Sequence, residues 1–373
     1  MNAAGSRFRF STYTITGQGL GGFAVRAACL LSAACSASGV QAGELTFTSW
    51  GGSYAKAQLD TAVTPFSRST GVKVRMEEYA GGIDELRGQV STGQVVWDVV
   101  DLSLADALRA CDEGLLEEID PDDLDRGVKG EPARSDFVPG ALTRCYVATN
   151  VWSTVFAYNR KAFVDKAPQT IADVFDTARF PGKRGLRRTA QGNLEFALMA
   201  DGVAVDQVYK VLSTPAGVER AFRKLDALKP HIVWWTAGAE PVEMLDTGKA
   251  QIASSYNGRI YTATLRGNKP LRYVWDGQLL SLEGLGIVKG TRNRKDAMAF
   301  VRYASSPVAM AALAPVTAYG PTRVSAAGLL DTVMMHVLPT AHWYAKRSLT
   351  VDARWWSVHG EALEQRFAAW TDK

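Results

Sequence analysis

The chain has 373 residues, 47% of them hydrophobic and 21% charged, with 42 basic against 38 acidic side chains. That length suits two domains, each able to bury a core, and the composition excludes a disordered chain. Beyond the leader no apolar run reaches about 18 residues, which excludes a polytopic helical membrane protein. Residues 1–42 read as a secretory signal: Arg7, Arg9 and Arg26 are its only charges, residues 27–40 are small and apolar, and Val40-Gln41-Ala42 supplies a small-x-Ala cleavage site. Cys35 follows Ser32-Ala33-Ala34 without the leucine of a lipoprotein box, so the signal for a lipid-anchored form is weak. The run Gly17-Gln18-Gly19-Leu20-Gly21-Gly22 fits a dinucleotide-binding spacing, but it lies in the leader with no strand before it and is set aside. Cleavage lowers the net charge from +4 to +1. That balance argues against nucleic acid and against anionic membrane surfaces as partners.

After the leader, residues 44–49 alternate apolar and polar, as a strand does, and Trp50-Gly51-Gly52 breaks the pattern. From Ser53 the apolar positions Ala55, Leu59, Ala62, Val63 and Phe66 recur at helical spacing as far as Gly71. Val72, Val74 and Met76 alternate again, residues 84–90 read as a short helix, and 97–100 as a buried strand. Ser103 opens a further helix that Gly114 closes. This β-α-β-α-β-α order predicts a parallel sheet with helices on both faces. A strand at 155–159 leads into a second mixed block, with helices at 171–177, 194–200, 215–228 and 242–245 and strands at 232–235 and 251–255. A strand at 285–288, helices at 295–304 and 308–314, and a tryptophan-rich helical tail complete the chain.

Two α/β blocks without a flexible linker predict a two-lobed α/β protein, each lobe a mixed or parallel sheet flanked by helices and joined by strands passing between them. The expected lobes are 43–150 with about 285–325, and 151–284 with about 326–373. Ligands in such folds sit at the carboxyl ends of the strands, in the cleft. Cys111 and Cys145 remain after cleavage as an even pair in an oxidising compartment, which predicts a disulfide; two buried free thiols are the alternative.

The mature chain carries no G-x-S-x-G, H-E-x-x-H or G-x-x-x-x-G-K-[ST], and His231, His336, His342 and His359 are scattered singly. No catalytic residue, metal or cofactor is expected. Aromatics at strand ends stand out instead. Trp50 faces two glycines at a helix start with Tyr54 one turn on; Trp234 and Trp235 end a strand; Tyr256 ends another before Asn257-Gly258; Tyr319 precedes Gly320-Pro321. Such rings would wall a cleft and make cation–π contacts with a bound amine, although core packing would explain any one of them.

The opening Leu45-Thr46-Phe47-Thr48-Ser49-Trp50-Gly51-Gly52-Ser53-Tyr54, with Phe66-x-x-x-Thr70-Gly71-Val72-Lys73-Val74, resembles that of periplasmic spermidine/putrescine-type solute receptors of ABC importers. The likeness continues through Trp97-Asp98-Val99-Val100, Gly114 to Asp120, Tyr158-Asn159, Phe180-Pro181-Gly182-Lys183, Tyr256-Asn257-Gly258 and Tyr319-Gly320-Pro321. It implies capture of a small amine-bearing solute by hinge closure in the periplasm, a membrane permease and ATPase as partners, and a monomer. Residue by residue, it implies that Trp50 is the first-strand aromatic, Ser103 the polar residue after the third strand, Tyr256 a cleft aromatic and Glu283 the acid that holds an amine. Glu195 lies near a second acidic position, and an exposed helical glutamate is its alternative reading. The alignment of Tyr54 is offset by one residue, and which of Trp234 and Trp235 faces the cleft stays open.

Arg259 departs from a polyamine site. A guanidinium beside the cleft would repel a polyamine and clamp a carboxylate or phosphonate, which favours an ω-amino acid or aminophosphonate over a diamine. An outward, solvated Arg259 is the alternative. Three further readings compete with transport: a sensor module presenting the same ligand to a receptor, a periplasmic enzyme, and a ferric-ion receptor. The enzyme would need a paired nucleophile and base, and the ferric receptor adjacent tyrosines, where this chain has Tyr256-Asn257.

Overall fold

Backbone hydrogen bonds gather ten strands into one sheet among residues 44–372, which the computed structural model describes. The leader, its cleavage site and Cys35 lie outside the described residues. The principal strands are β1 (Glu44–Ser49), β2 (Lys73–Glu78), β3 (Val99–Ser103), β4 (Val147–Asn159), β5 (Arg184–Arg187), β6 (Ile232–Trp235), β7 (Ile252–Tyr256) and β8 (Leu271–Ile287), in the spatial order β2-β1-β3-β8-β4-β7-β5-β6. Two short strands, β9 (Gly320–Pro321) and β10 (Leu349–Thr350), pair with β4 and β8.

The two ends of the sheet are parallel, β1 with β2 and β3, and β5 with β6 and β7. Between them β3–β8, β8–β4 and β4–β7 are antiparallel. The fold is therefore two-lobed, and β4 and β8 serve both halves. Val147 and Leu285 pack in a first core with Leu45, Phe47, Val99 and Phe300. Phe156 and Val274, further along the same two strands, pack in a second core with Leu186, Phe196, Phe222 and Phe367.

Both bridging strands are longer than alternation in the sequence suggests: β4 begins at Val147 rather than 155, and β8 at Leu271 rather than 285. Register shifts at Ala148/Asn150 and Thr154/Phe156, and Gly277 at φ +74°, interrupt the two-residue period that would have revealed them. The helical stretch after Trp50 runs as α-helices Gly52–Gln58 and Thr64–Thr70 around a π turn at Leu59–Val63. Pro65 has no N–H to give an i−4 carbonyl, and the widened turn comes just before it. Gly71, at φ +77°, ends the helix as expected. Cys111 and Cys145 are disulfide-bonded, tying the helix Leu104–Asp112 to the chain entering β4.

Candidate functional site

The carboxyl ends of β1, β3, β5 and β7 converge on a cleft of about 950 Å³. At the end of β1, Gly51 turns the chain at φ +75°, where a Cβ would come within 2.6 Å of the Glu78 carboxylate. A Cβ on Gly81 (φ +91°) would lie 2.4 Å from the Trp50 ring, so glycine at 81 gives the indole its seat. The ring also packs 5.2 Å from Tyr79 and directs its Nε1–H into the cleft.

That N–H donates to Glu283 Oε1 at 2.9 Å, and Trp152 Nε1–H donates to Glu283 Oε2 at 3.1 Å. Glu283 is nearly buried, and burial together with the neighbouring Asp101 pushes its carboxyl well above the usual range. Trp152 stands edge-on to Tyr256 at 5.1 Å, and the Arg187 guanidinium lies 5.9 Å over the Tyr256 ring. Contacts thus run in sequence from Trp50 through Glu283, Trp152 and Tyr256 to Arg187. Arg259, in the helix Asn257–Leu265, also lines the cleft and donates Nη1–H to Ser53 Oγ at 2.8 Å. Neither guanidinium has an acidic partner among the described residues. Tyr54 packs 5.7 Å from Tyr319 and accepts a hydrogen bond from Asn150 Nδ2 at 2.8 Å. Ser103 caps the helix Leu104–Asp112, accepting from the Asp106 amide, with the cleft beside it.

Trp50, Gly51, Tyr54, Ser103, Tyr256, Arg259, Glu283 and Tyr319 therefore surround one cleft, with the Arg259 side chain on its wall. Three sequence-predicted residues do not join them. Glu195 is neither a cleft ligand nor an exposed glutamate. It is wholly buried, accepting from the Gly192 amide (2.8 Å), Tyr209 Oη–H (3.0 Å) and Trp356 Nε1–H (2.7 Å), and supports the cleft wall at Gly192 from behind. Neither Trp234 nor Trp235 faces the cleft, because both faces of β6 are covered. Trp235 lies beneath Tyr256 at 5.7 Å and bonds Ser254, while Trp234 packs on Phe367 and Trp370 of the C-terminal helix.

Trp152 and Arg187 are cleft residues that sequence reasoning missed. Trp152 lies in the part of β4 where the bulge hides alternation, so no strand pointed to it. Arg187 ends the four-residue β5, too short for a period; a basic residue at a strand's carboxyl end, next to Arg188, was the available signal. A carboxylate held by two indoles keeps lone pairs for an ammonium group, and unpaired guanidiniums suit a carboxylate.

Residues 61–337 match the family described as bacterial extracellular solute-binding protein. The chain is similar to the γ-aminobutyric acid-binding protein of Pseudomonas aeruginosa, 44% identical over 330 residues that cover 88% of this chain and 91% of that one. Among solved structures it is similar to the PBP MotA from A. tumefaciens B6 in complex with glucopine, with TM-score 0.80, 28% identity, and coverage of 87% of this chain and 99% of that one. A solved GABA receptor superposes with TM-score 0.78 and 31% identity, covering 88% of this chain and 98% of that one.

Proposed function

The chain belongs to the bacterial extracellular solute-binding protein family, and from that premise we propose that its cleft captures an ω-amino acid of the γ-aminobutyric acid (GABA) kind. The ammonium group sits on Glu283 and the carboxylate on Arg187 and Arg259. The observation that carries this reading is the order of contacts: an acid fixed by Trp50 and Trp152, then the two rings Trp152 and Tyr256, then a guanidinium. Its acid and its cation are separated by aromatic surface on which a short methylene chain can lie. The relative's binding of γ-aminobutyric acid supports the same assignment.

Charge pattern then selects the ligand. A desolvated charge without a partner costs several kcal/mol. A diamine would satisfy Glu283 and set its second ammonium against the guanidiniums, whereas a zwitterion or an aminophosphonate satisfies both. The protein works as the solute-binding component of an ABC importer: it loads in the periplasm as a monomer, closes its lobes about β4 and β8, and presents the closed form to a permease and its ATPase. A second reading, a bulkier amino acid–sugar conjugate, draws on the cleft volume of about 950 Å³ and on the glucopine-bound neighbour.

Thermal-shift measurements on the mature protein with GABA, 2-aminoethylphosphonate, putrescine and an opine decide between them. GABA is expected to raise the melting temperature more than putrescine. Stabilisation by putrescine with none from any zwitterion would defeat the assignment of the guanidiniums, and stabilisation by the opine alone would install the second reading.

A further inference from the structure

Asp101 stands behind Glu283 and takes no part in the contacts assigned to the ligand. It lies on β3, wholly buried. The antiparallel register pairs Asp101 with Leu285 and Ser103 with Glu283, so Asp101 is the diagonal neighbour of Glu283 on one face of the sheet. Its Oδ2 accepts from Gln58 Nε2 (2.5 Å) and Ser49 Oγ (3.1 Å), while its Oδ1 is buried with no hydrogen-bond partner. Both oxygens of Glu283 accept from indoles, so that carboxyl has no donor to offer unless it carries a proton. A buried oxygen without a donor is costly, and two groups beside Asp101 can supply one: the Tyr54 hydroxyl, whose oxygen already accepts from Asn150, and a proton on Glu283.

We propose that Asp101 and Glu283 hold one proton between them in the ligand-free cleft, and that an arriving ammonium group expels it to solvent. The proposal rests on capture of an amine at Glu283. Burial pushes both carboxyls the same way, Asp101 up to about 7 and Glu283 also well above its ordinary range. The groups that face the pair reinforce this. Asp106, from the helix Leu104–Asp112, is of like charge. Tyr54, Tyr79, Tyr146, Tyr256 and Tyr319 are kept neutral, above all by burial. No cation pairs with either carboxyl among the described residues. Asp101 is thereby a positioning residue that acts through Glu283: it keeps the amine subsite uncharged until a cation replaces the proton, and a neutral ligand has nothing to exchange.

Binding should release about one proton per ligand near neutral pH. Because the bound state needs the ionised acid, affinity strengthens as pH rises, by up to about tenfold per unit until the pair has lost its proton. Calorimetry of wild-type protein with GABA, in buffers of different ionisation enthalpy, counts the protons. In Asp101→Asn the amide can keep its oxygen toward Gln58 and Ser49 and turn its NH2 toward Glu283. Loss of the like charge lowers the Glu283 carboxyl while burial still raises it, so proton release should fall below that of wild type while GABA still binds. Wild-type binding with no proton release overturns the proposal. Failure of GABA to bind would instead strike the amine reading, and carbon-13 NMR of the side-chain carboxyls in ligand-free protein then decides. Coupled titration of Asp101 and Glu283 well above the ordinary carboxylate range supports the pair, and two carboxylates already ionised at about pH 5 overturn it.

Discussion

Trp50 owes its position to glycine as much as to its own indole. The φ of +91° at Gly81 and the 2.4 Å a Cβ would leave to the Trp50 ring mean that Gly81→Ala must move the indole off Glu283. Trp50→Ala removes the ring, and with it the hydrogen bond to Glu283 and a cleft wall. It should weaken GABA binding by roughly 1–2 kcal/mol with the fold intact, read by calorimetry beside circular dichroism. Gly81→Ala should lower affinity in the same direction, and unchanged affinity in both would remove Trp50 from the site. Arg187→Ala and Arg259→Ala test the proposed carboxylate subsite: each should weaken GABA, and the double variant should narrow the gap between GABA and putrescine. What the sequence disclosed at this scale were aromatics where strands stop, Trp50 and Tyr256, while Glu283 came from the family resemblance and Arg259 from a departure from it. The sequence could not disclose which ring at a strand end meets ligand, since Trp234 and Trp235 also end a strand and are consumed by packing on its two faces.

Elements are held in register by a few buried links whose loss can be measured. The Cys111–Cys145 bond closes a span of 34 residues, for which chain entropy gives about 3–4 kcal/mol. Mass spectrometry of unreduced protein should find no free thiol, and Cys111→Ser with Cys145→Ser should lower the melting temperature. A buried ion pair, Arg323 Nη1 to Asp136 Oδ2 at 3.1 Å, ties the helix Ala133–Asp136 to the chain leaving β9. Burial alone would raise the Asp136 carboxyl, but bonds from Ser325 and Arg323 outweigh it and hold the group below its ordinary range. Its contribution is therefore present above the unfolded carboxylate pKa and lost as pH falls through the lower, folded value. Asp136→Asn strands Arg323 and should cost about 3–5 kcal/mol at neutral pH, with the gap to wild type closing in acid denaturation. If the difference stayed constant from neutral pH down to about 2, the pair would not be the cause. Regular elements such as Pro215–Leu228 and β6 were legible to the residue, because caps and β-branched runs mark them. The extent of β4 and β8 was not, because bulges and Gly277 erase the period in the strands that join the lobes.

At the scale of the whole molecule, the acid and the two guanidiniums proposed to hold the ligand belong to different halves. Glu283 lies on β8 beside Leu285 of the first core, whereas Arg187 ends β5 and Arg259 begins the helix after β7, both attached to the second half of the sheet. The link between the halves runs through β4 and β8, whose backbones approach so closely at Gly284 that a Cβ there would lie 2.3 Å from the Val147 carbonyl. A ligand can shift a hinge equilibrium only by its difference in affinity for the open and closed forms. An ammonium group alone engages Glu283 equally in both forms, and a carboxylate alone engages only the guanidiniums. Only a molecule carrying both gains from bringing the halves together. Small-angle scattering should therefore show the radius of gyration fall on saturation with GABA, and stay at the ligand-free value with propylamine or butyrate at concentrations that occupy the cleft. Contraction with butyrate alone would mean that the anion subsite already spans both lobes. No contraction with saturating GABA would mean that this cleft binds its ligand without closing, and the bridging role of Glu283 with Arg187 and Arg259 would fall.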